Sequence, residues 1–436
     1  TAATWSVVIM AVLLAALVVA RSETGRVRAA PAVFTVNDVG DAGDADAGDG
    51  VCATSSGACT FRAAIDESEA RRGQRDVIAF GIPGSGPHRI ELTRALQLID
   101  DPAGVTIDGY TQPGARPNRL DHGTDADIRI ELRGQGPNSI DGLDLRSGGS
   151  LIRGLAIFDF ERHIRLYGSN SVENRIVGNF VGTDASGTFG ATRRTTAANL
   201  VQLERGASRN VIGSPANADR NVISGGPDRG VAMFNSGTDE NVVQNNVIGL
   251  APGADGRTRL RNMNHGVDVN TGSSRNLIGG LGAGEGNVIS GNGQSGVEIS
   301  HDAGDRSTAD NRVLGNLIGT TADGRDATTS TANGQFGVFF EGKALCTSTC
   351  PPDIRRNVAT GNVIVGSRSG VVVSKGAFDN RVNGNWIGVL QNGSRPSSLP
   401  TGRTAQGVSI EMGAFDNEID GNVIAHVDRG IHATPK

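Results

Sequence analysis

From Asn174 onward one arrangement of apolar and polar positions keeps returning. RIVGNFVG follows Asn174, VVQNNVIG follows Asn241, RVLGNLIG follows Asn311 and RVNGNWIG follows Asn380, with starts 67, 70 and 69 residues apart. Shorter echoes begin at Asn221, Asn287, Asn357 and Asn417, so each unit of about seventy residues divides into two related coils. A second phrase, Gly-Val-x-apolar, interleaves with the first at Gly230, Gly266, Gly296, Gly337, Gly370 and Gly407, and ends with an isoleucine version at Gly430. Each phrase is three or four residues of period two bounded by Gly and Asn, the mark of a short strand closed by a tight turn. Strands this short and this regular predict parallel stacking as rungs of a solenoid, with no room for helices between them.

The same alternation reaches back through the segments starting at Val77, Ile90, Val105, Ile128, Leu143, Leu155 and Ile164, which places the start of the solenoid near residue 77. The expected fold class is all-β: a single-stranded right-handed parallel β-helix over 77–436, with an N-terminal cap over 33–76. In that cap Phe61, Ala64, Ile65 and Ser68 share one helical face, which predicts a short amphipathic helix covering the first rung. No comparable cap follows Gly430, so the C-terminal end is expected to be cut short. The Asn of each Gly-Asn pair (Asn179, Asn292, Asn316, Asn362, Asn385 and Asn422) is expected to stack into a structural ladder at a corner. Gly takes the backbone conformation such corners need, and Asn tolerates it.

Composition agrees with this picture. Gly supplies 63 of 436 residues and Phe, Trp and Tyr together only 4%, while all but three of the 31 asparagines lie at or after Asn170. A net charge of -5 offers no basic excess for a nucleic acid backbone, so nucleic acid is excluded as the expected partner. Residues 1–20 carry no charge, and the fourteen residues from Val7 to Ala20 are continuously apolar. That length suits a signal-peptide core, and the alternative is a retained membrane anchor, so the segment 1–32 predicts a secreted or cell-surface protein. The cysteines form two close pairs, Cys52 with Cys59 and Cys346 with Cys350, which fit local disulfides in an oxidising compartment.

Two resemblances follow from these motifs. Phe34 to Ala70, with Cys59, Arg62 and Ala64 in place, resembles the CSLREA-type module at the start of exported bacterial β-helix proteins, although Thr60, Phe61 and Ala63 depart from that motif. The repeats, with GNFVGTD at Gly178 to Asp184 and NVISGN at Asn287 to Asn292, resemble the pectin-lyase-like right-handed parallel β-helix family. That family includes lyases, hydrolases, epimerases, adhesins and phage spikes, so the resemblance implies a fold and leaves the activity open.

Candidate chemistry lies in three places. Asp44, Asp46 and Asp49 alternate on a glycine-containing loop in the manner of oxygen ligands for a hard cation such as calcium; the alternative is a solvated acidic loop beside a disulfide. The outward positions of the Gly-Val strands align as Asp144, Arg165, Gln202, Ala232, Asp268, Glu298, Phe339, Val372, Ser409 and His432. This alignment makes Asp268 and Glu298 direct neighbours, with His265 and His301 near the strand ends. Two stacked carboxylates with split pKa values beside an imidazole would serve acid/base cleavage of a glycan. The bland reading is two acids brought together by chance on a solvent-facing row. Glu341 and Lys343, in the interruption from Asn333 to Pro352, join Arg165 as candidate binding residues. The leading expectation is an exported glycan- or envelope-binding β-helix, followed by a polysaccharide lyase or glycoside hydrolase acting through Asp268 and Glu298, and then a rigid spacer.

Overall fold

The computed structural model describes residues 31–135, 140–188, 199–301, 307–343, 354–397, 399 and 404–434. The apolar N-terminal segment up to residue 30 and the pair Cys346 and Cys350 lie outside the described residues. No described helix is long and apolar enough to cross a membrane.

Three parallel sheets of twelve, eleven and ten strands run the length of the chain from Pro31 onward, and each coil visits them in turn. The protein is a parallel β-helix. The phrase after Asn174 shows how sequence becomes coil: Arg175–Val177 enters the first sheet, Gly178 and Asn179 turn the corner, and Phe180–Val181 enters the second. The Gly-Val phrases supply the third sheet, as in Val231–Phe234, Val267–Asn270 and Val297–Ser300. Alternate apolar residues from all three sheets meet in one continuous core running from Phe34 to Val408.

The corners are held by buried amides. Asn174, Asn210, Asn241, Asn276, Asn311, Asn357, Asn380 and Asn417 form one ladder, each donating its backbone N–H and its Nδ2 to Oδ1 of the next at 2.9–3.1 Å. Asn179, Asn221, Asn246, Asn287, Asn316, Asn362, Asn385 and Asn422 form a second. Asn292, expected among these, instead bridges Asn262 and Asn333 in a short third ladder. It follows a second-sheet strand rather than preceding one, so the same Gly-Asn dipeptide turns a different corner.

The residue before each asparagine of the first ladder, from Glu173 (φ 57°) to Asp416 (φ 52°), takes the left-handed conformation although none is glycine. That strain costs of order 1 kcal/mol each and persists because the adjoining asparagine fixes the turn. Acid and arginine alternate along these strained residues as far as Arg356, with Arg209 on Glu173, Arg275 on Glu240 and Arg356 on Asp310, and the column ends in Asp379 and Asp416. Gly249 does need to be glycine: φ is +96°, and a Cβ there would sit 2.2 Å from the Ser290 carbonyl oxygen.

The predicted helix forms over Phe61–Ala70, with the Thr60 hydroxyl accepting the Ala63 N–H at 3.1 Å. It covers the first rung through Phe61, Ala64 and Ile65, and Phe61 stacks on Phe80 at 5.9 Å. The solenoid starts earlier than expected, because Val33–Val36 already pairs in parallel with Val77–Phe80 as the first strand of the first sheet. Arg62, buried on the helix, binds Asp41 and donates to the Ala95 and Arg94 carbonyls at 2.8 Å, tying the cap to the next coil. At the far end Ile431 and Val423 are exposed in the last described coil.

Candidate functional site

The third sheet confirms the aligned row in full. Its register pairs Asp144 with Arg165, then Gln202, Ala232, Asp268, Glu298, Phe339, Val372, Ser409 and His432 in unbroken succession. The row is less open to solvent than its outward direction suggests: Asp268, Ala232, Val372 and Ser409 are at most 1% exposed. Rungs about 4.8 Å apart let each side chain shield the next, so small outward residues sink between larger neighbours.

Asp268 and Glu298 are adjacent, as expected, but each carboxylate has its own cationic or imidazole partner. Arg229 Nε lies 2.5 Å from Asp268 Oδ2, and Arg229 Nη1 lies 2.8 Å from Asp228 Oδ2. His265 Nε2 lies 3.1 Å from Glu298 Oε2, while its Nδ1 accepts the Ser295 N–H at 3.3 Å. The second contact fixes the neutral tautomer, with Nε2–H donating to Glu298. Burial, with the Arg229 cation adding to it, pushes His265 down to about 3, so the imidazole stays neutral at physiological pH. His301 stands at the other end of the strand from His265, buried beyond Ser300. Asp268 is enclosed in an ion pair, His265 cannot act as an imidazolium acid, and Glu298 alone of the two carboxylates reaches solvent, at 12% side-chain exposure. The two carboxylates therefore do not face each other alone: a cation stands beside Asp268 and a neutral imidazole beside Glu298.

Arg229 was not among the residues read from the sequence, yet the signal was there. It precedes Gly230, and the residues before the other Gly-Val glycines are His265, Ser295, Phe336, Ser369, Gln406 and Arg429. These form a further row beside the aligned one, in register where Phe336, Ser369, Gln406 and Arg429 pair.

Further up the same sheet, Arg165 sits in a second charged group. Arg165 binds Glu204 at 2.6 Å and reaches Asp144 at 3.4 Å; Arg146 is bidentate on Asp144 and Arg162 on Asp141. The Arg146 and Arg165 guanidiniums lie 3.9 and 4.3 Å from the Tyr167 ring centroid. A cleft of about 300 Å³ lined by Leu96, Ile140, Asp144 and Arg165 opens here, and Arg146 joins it to a larger one of about 610 Å³ reaching Arg75 and Arg209. Half-buried aromatics border the face at Tyr167, Phe234, Phe336 and Phe339.

The other predicted residues lie apart or pair differently. Glu341 is on the third sheet, aligned with Ser300 and Ser374, and accepts from Lys375 rather than from the exposed Lys343. Cys52 and Cys59 form the expected disulfide. Asp44, Asp46 and Asp49 do not converge: no group of three potential metal ligands occurs among the described residues. Asp44 accepts the Asp46 and Ala53 amides, Asp49 accepts the Val51 amide, and buried Glu67 of the helix accepts those of Gly48 and Gly50. Asp44, Asp49 and Glu67 thus brace the loop through its own amides. Trp386 packs on Val363 and Leu390 outside the second sheet, and the Tyr110 hydroxyl donates to the Gly178 carbonyl at 2.6 Å; both are wall residues.

Two buried histidines set an acid limit on stability. His163, wholly buried against Phe160, is lowered to about 4 by desolvation, as His265 is to about 3. Between these values and about 6.5 the unfolded chain binds more protons than the folded one, so stability is complete above pH ~6.5 and falls as pH drops towards 4. A urea midpoint measured from pH 8 to 4 should decline over that window, and His163→Leu should remove on the order of 2 kcal/mol of the decline.

No protein-family model matches the chain, and no curated protein matches it. Among solved structures it is similar to the A-module of mannuronan C-5 epimerase AlgE4 from Azotobacter vinelandii, at 14% identity over 91% of this chain and 97% of that one, with a TM-score of 0.40. It is also similar to the catalytic domain of a GH87 α-1,3-glucanase in complex with nigerose, at 14% identity over 84% of this chain and 61% of that one, with a TM-score of 0.33. A third is an alginate lyase from Paenibacillus, at 12% identity over 91% and 99%, with a TM-score of 0.27. Identities of 12–14% convey nothing about activity.

Proposed function

We propose that the chain is an exported or cell-surface protein that binds glycan along the outward face of its third sheet. The observation that carries this is the in-register row from Asp144 to Glu298, whose partly open polar members Arg165 and Glu298 stand on one face with the half-buried aromatics Tyr167, Phe234 and Phe339. A saccharide offers hydroxyls around an apolar ring face. Fixed donors and acceptors that reach the surface beside aromatic rings complement such a chain. The internal ion pairs hold these groups in place before any ligand arrives, which lowers the ordering cost of binding.

A second reading, glycan cleavage by a lyase or hydrolase, is favoured by one feature only: Glu298, partly open and bonded by neutral His265, has the setting of a general base. The buried Asp228–Arg229–Asp268 group would then position it.

Retention on immobilised neutral and uronate-containing polysaccharides tests the binding reading. Arg165→Ala and Phe339→Ala should each shorten retention on the bound glycan at least threefold, while Lys343→Ala should not. Equal retention of all three variants and the parent would remove the third sheet as the binding face.

A further inference from the structure

A different part of the solenoid holds a buried cation whose hydrogen bonds go to neutral acceptors. Arg220, 6% exposed, follows a short turn of 3-10 helix, Asn217–Asp219, at the approach to the second sheet. Its Nη1 donates to the Leu120 and Gly123 carbonyls at 2.8 and 2.6 Å, its Nη2 to the Asp121 carbonyl at 2.8 Å, and its Nε to Asn245 Oδ1 at 2.9 Å. Those are four bonds for five N–H groups, all to neutral acceptors. Among the described residues no carboxylate stands within ion-pair distance of it. Such a charge is costly to bury, and burial correspondingly lowers the Arg220 pKa.

The guanidinium forms part of the wall of a cleft of about 510 Å³ at the corner between the first and second sheets. One rim is the loop carrying Asp121 and His122; the opposite rim is the turn from Gly282 to Gly286, and Val288 and Leu317 form an apolar floor. Asn245, at the back, is committed to Arg220 and to the Ser214 and Ala216 carbonyls. The Asp121 carboxylate, on the exposed rim, accepts Asn217 Nδ2 at 2.8 Å and acts on the Arg220 cation through space without bonding it, offsetting part of the cost of its burial.

We propose that this cleft is a second binding site, separate from the third-sheet face, for a small hydroxylated carboxylate of the size of a sugar acid. Arg220 supplies the attraction for the carboxylate through its remaining N–H and its positive charge, and the apolar floor takes the body of the ligand. The volume falls within the range of small-molecule sites, and the carbonyl clamp that holds Arg220 also holds the rim loop in place.

Calorimetric titration of the whole chain with sodium glucuronate, and with glucose at the same concentrations, tests this. Glucuronate should bind at least tenfold more tightly than glucose. Ala283→Trp, which fills the cleft from its exposed rim without touching Arg220, should abolish the glucuronate signal while leaving the circular dichroism spectrum unchanged. Asp121→Asn should tighten binding about twofold or more by removing the rim carboxylate. Equal heats for the acid and the neutral sugar, no glucuronate binding by the parent, or glucuronate binding unaffected by Ala283→Trp would overturn the proposal.

Discussion

Replacing Asn287 with alanine is expected to destabilise the solenoid by about 4 kcal/mol, one of the two largest effects of any single substitution considered. Asn287 is completely buried at the centre of the second ladder. Its Oδ1 accepts the backbone N–H and Nδ2 of Asn246, and its Nδ2 donates to the Val243 carbonyl and to Asn316 Oδ1. Alanine would leave buried donors and acceptors on the coils to either side without partners, and each such group costs roughly 1–3 kcal/mol. Asn392, in an exposed turn, caps Ser394 alone among the described residues, so Asn392→Ala should cost under about 1 kcal/mol. Urea unfolding of both variants makes the comparison. A loss for Asn287→Ala no greater than for the control would mean that the ladder is incidental to the fold. Because coils contact only their neighbours, hydrogen exchange should also show the loss concentrated on the coils around Val242–Val243, Val288–Ile289 and Leu317–Ile318.

The second large effect concerns Arg229. Arg229→Met removes the cation from beside Asp268 and leaves a buried carboxylate without it, which should destabilise by about 3–5 kcal/mol. Combining it with Asp268→Asn should restore most of that loss, because the charge that needed Arg229 is gone. The resulting coupling, about 2 kcal/mol or more in a double-mutant cycle, would mark the pair as structural. Strictly additive losses would show that Asp268 does not depend on Arg229, and would return it to consideration as a freely titrating acid.

These two results bear on what a repeat sequence makes legible. The third-sheet register could be read residue by residue because the Gly-Val phrase keeps its strand in phase, so aligning phrases also aligned rungs. The same logic placed Asp268 against Glu298 correctly. It stopped at the strand itself: Arg229 sits one residue before the aligned segment, in the row of His265 and Ser295, and changes the chemistry of the pair from opposed charges to a neutralised group. The first asparagine ladder is visible in the sequence as the Asn that opens every long phrase, whereas the Gly-Asn dipeptide is ambiguous, because it turns one corner at Asn179 and another at Asn292. Val33–Val36 was missed because it stands alone, forty-odd residues before the next strand of its sheet and outside any period. What braces the acidic loop was hidden for a different reason. The Gly48 and Gly50 amides find Glu67, which is distant in sequence and lies on the helix, so the spacing of the loop's own carboxylates did not reveal it.

The third-sheet reading also explains why burial on that sheet was underestimated. An outward position on a single rung faces solvent. In a stack it faces its neighbours, and Arg165, Tyr167 and Arg146 cover one another while Ala232 and Asp268 disappear beneath the side chains around them. Such a face is rigid and largely self-neutralised, better suited to holding a ligand than to moving a proton.

The most direct test of that claim is to incubate the purified chain with a panel of neutral and uronate-containing polysaccharides. New reducing ends and the absorbance of unsaturated products are followed together with retention on each glycan. Retention on at least one glycan with no new ends and no new absorbance is the predicted result. New ends or unsaturated products that vanish in Glu298→Gln would contradict it, and would make Glu298 and His265 the centre of an enzyme.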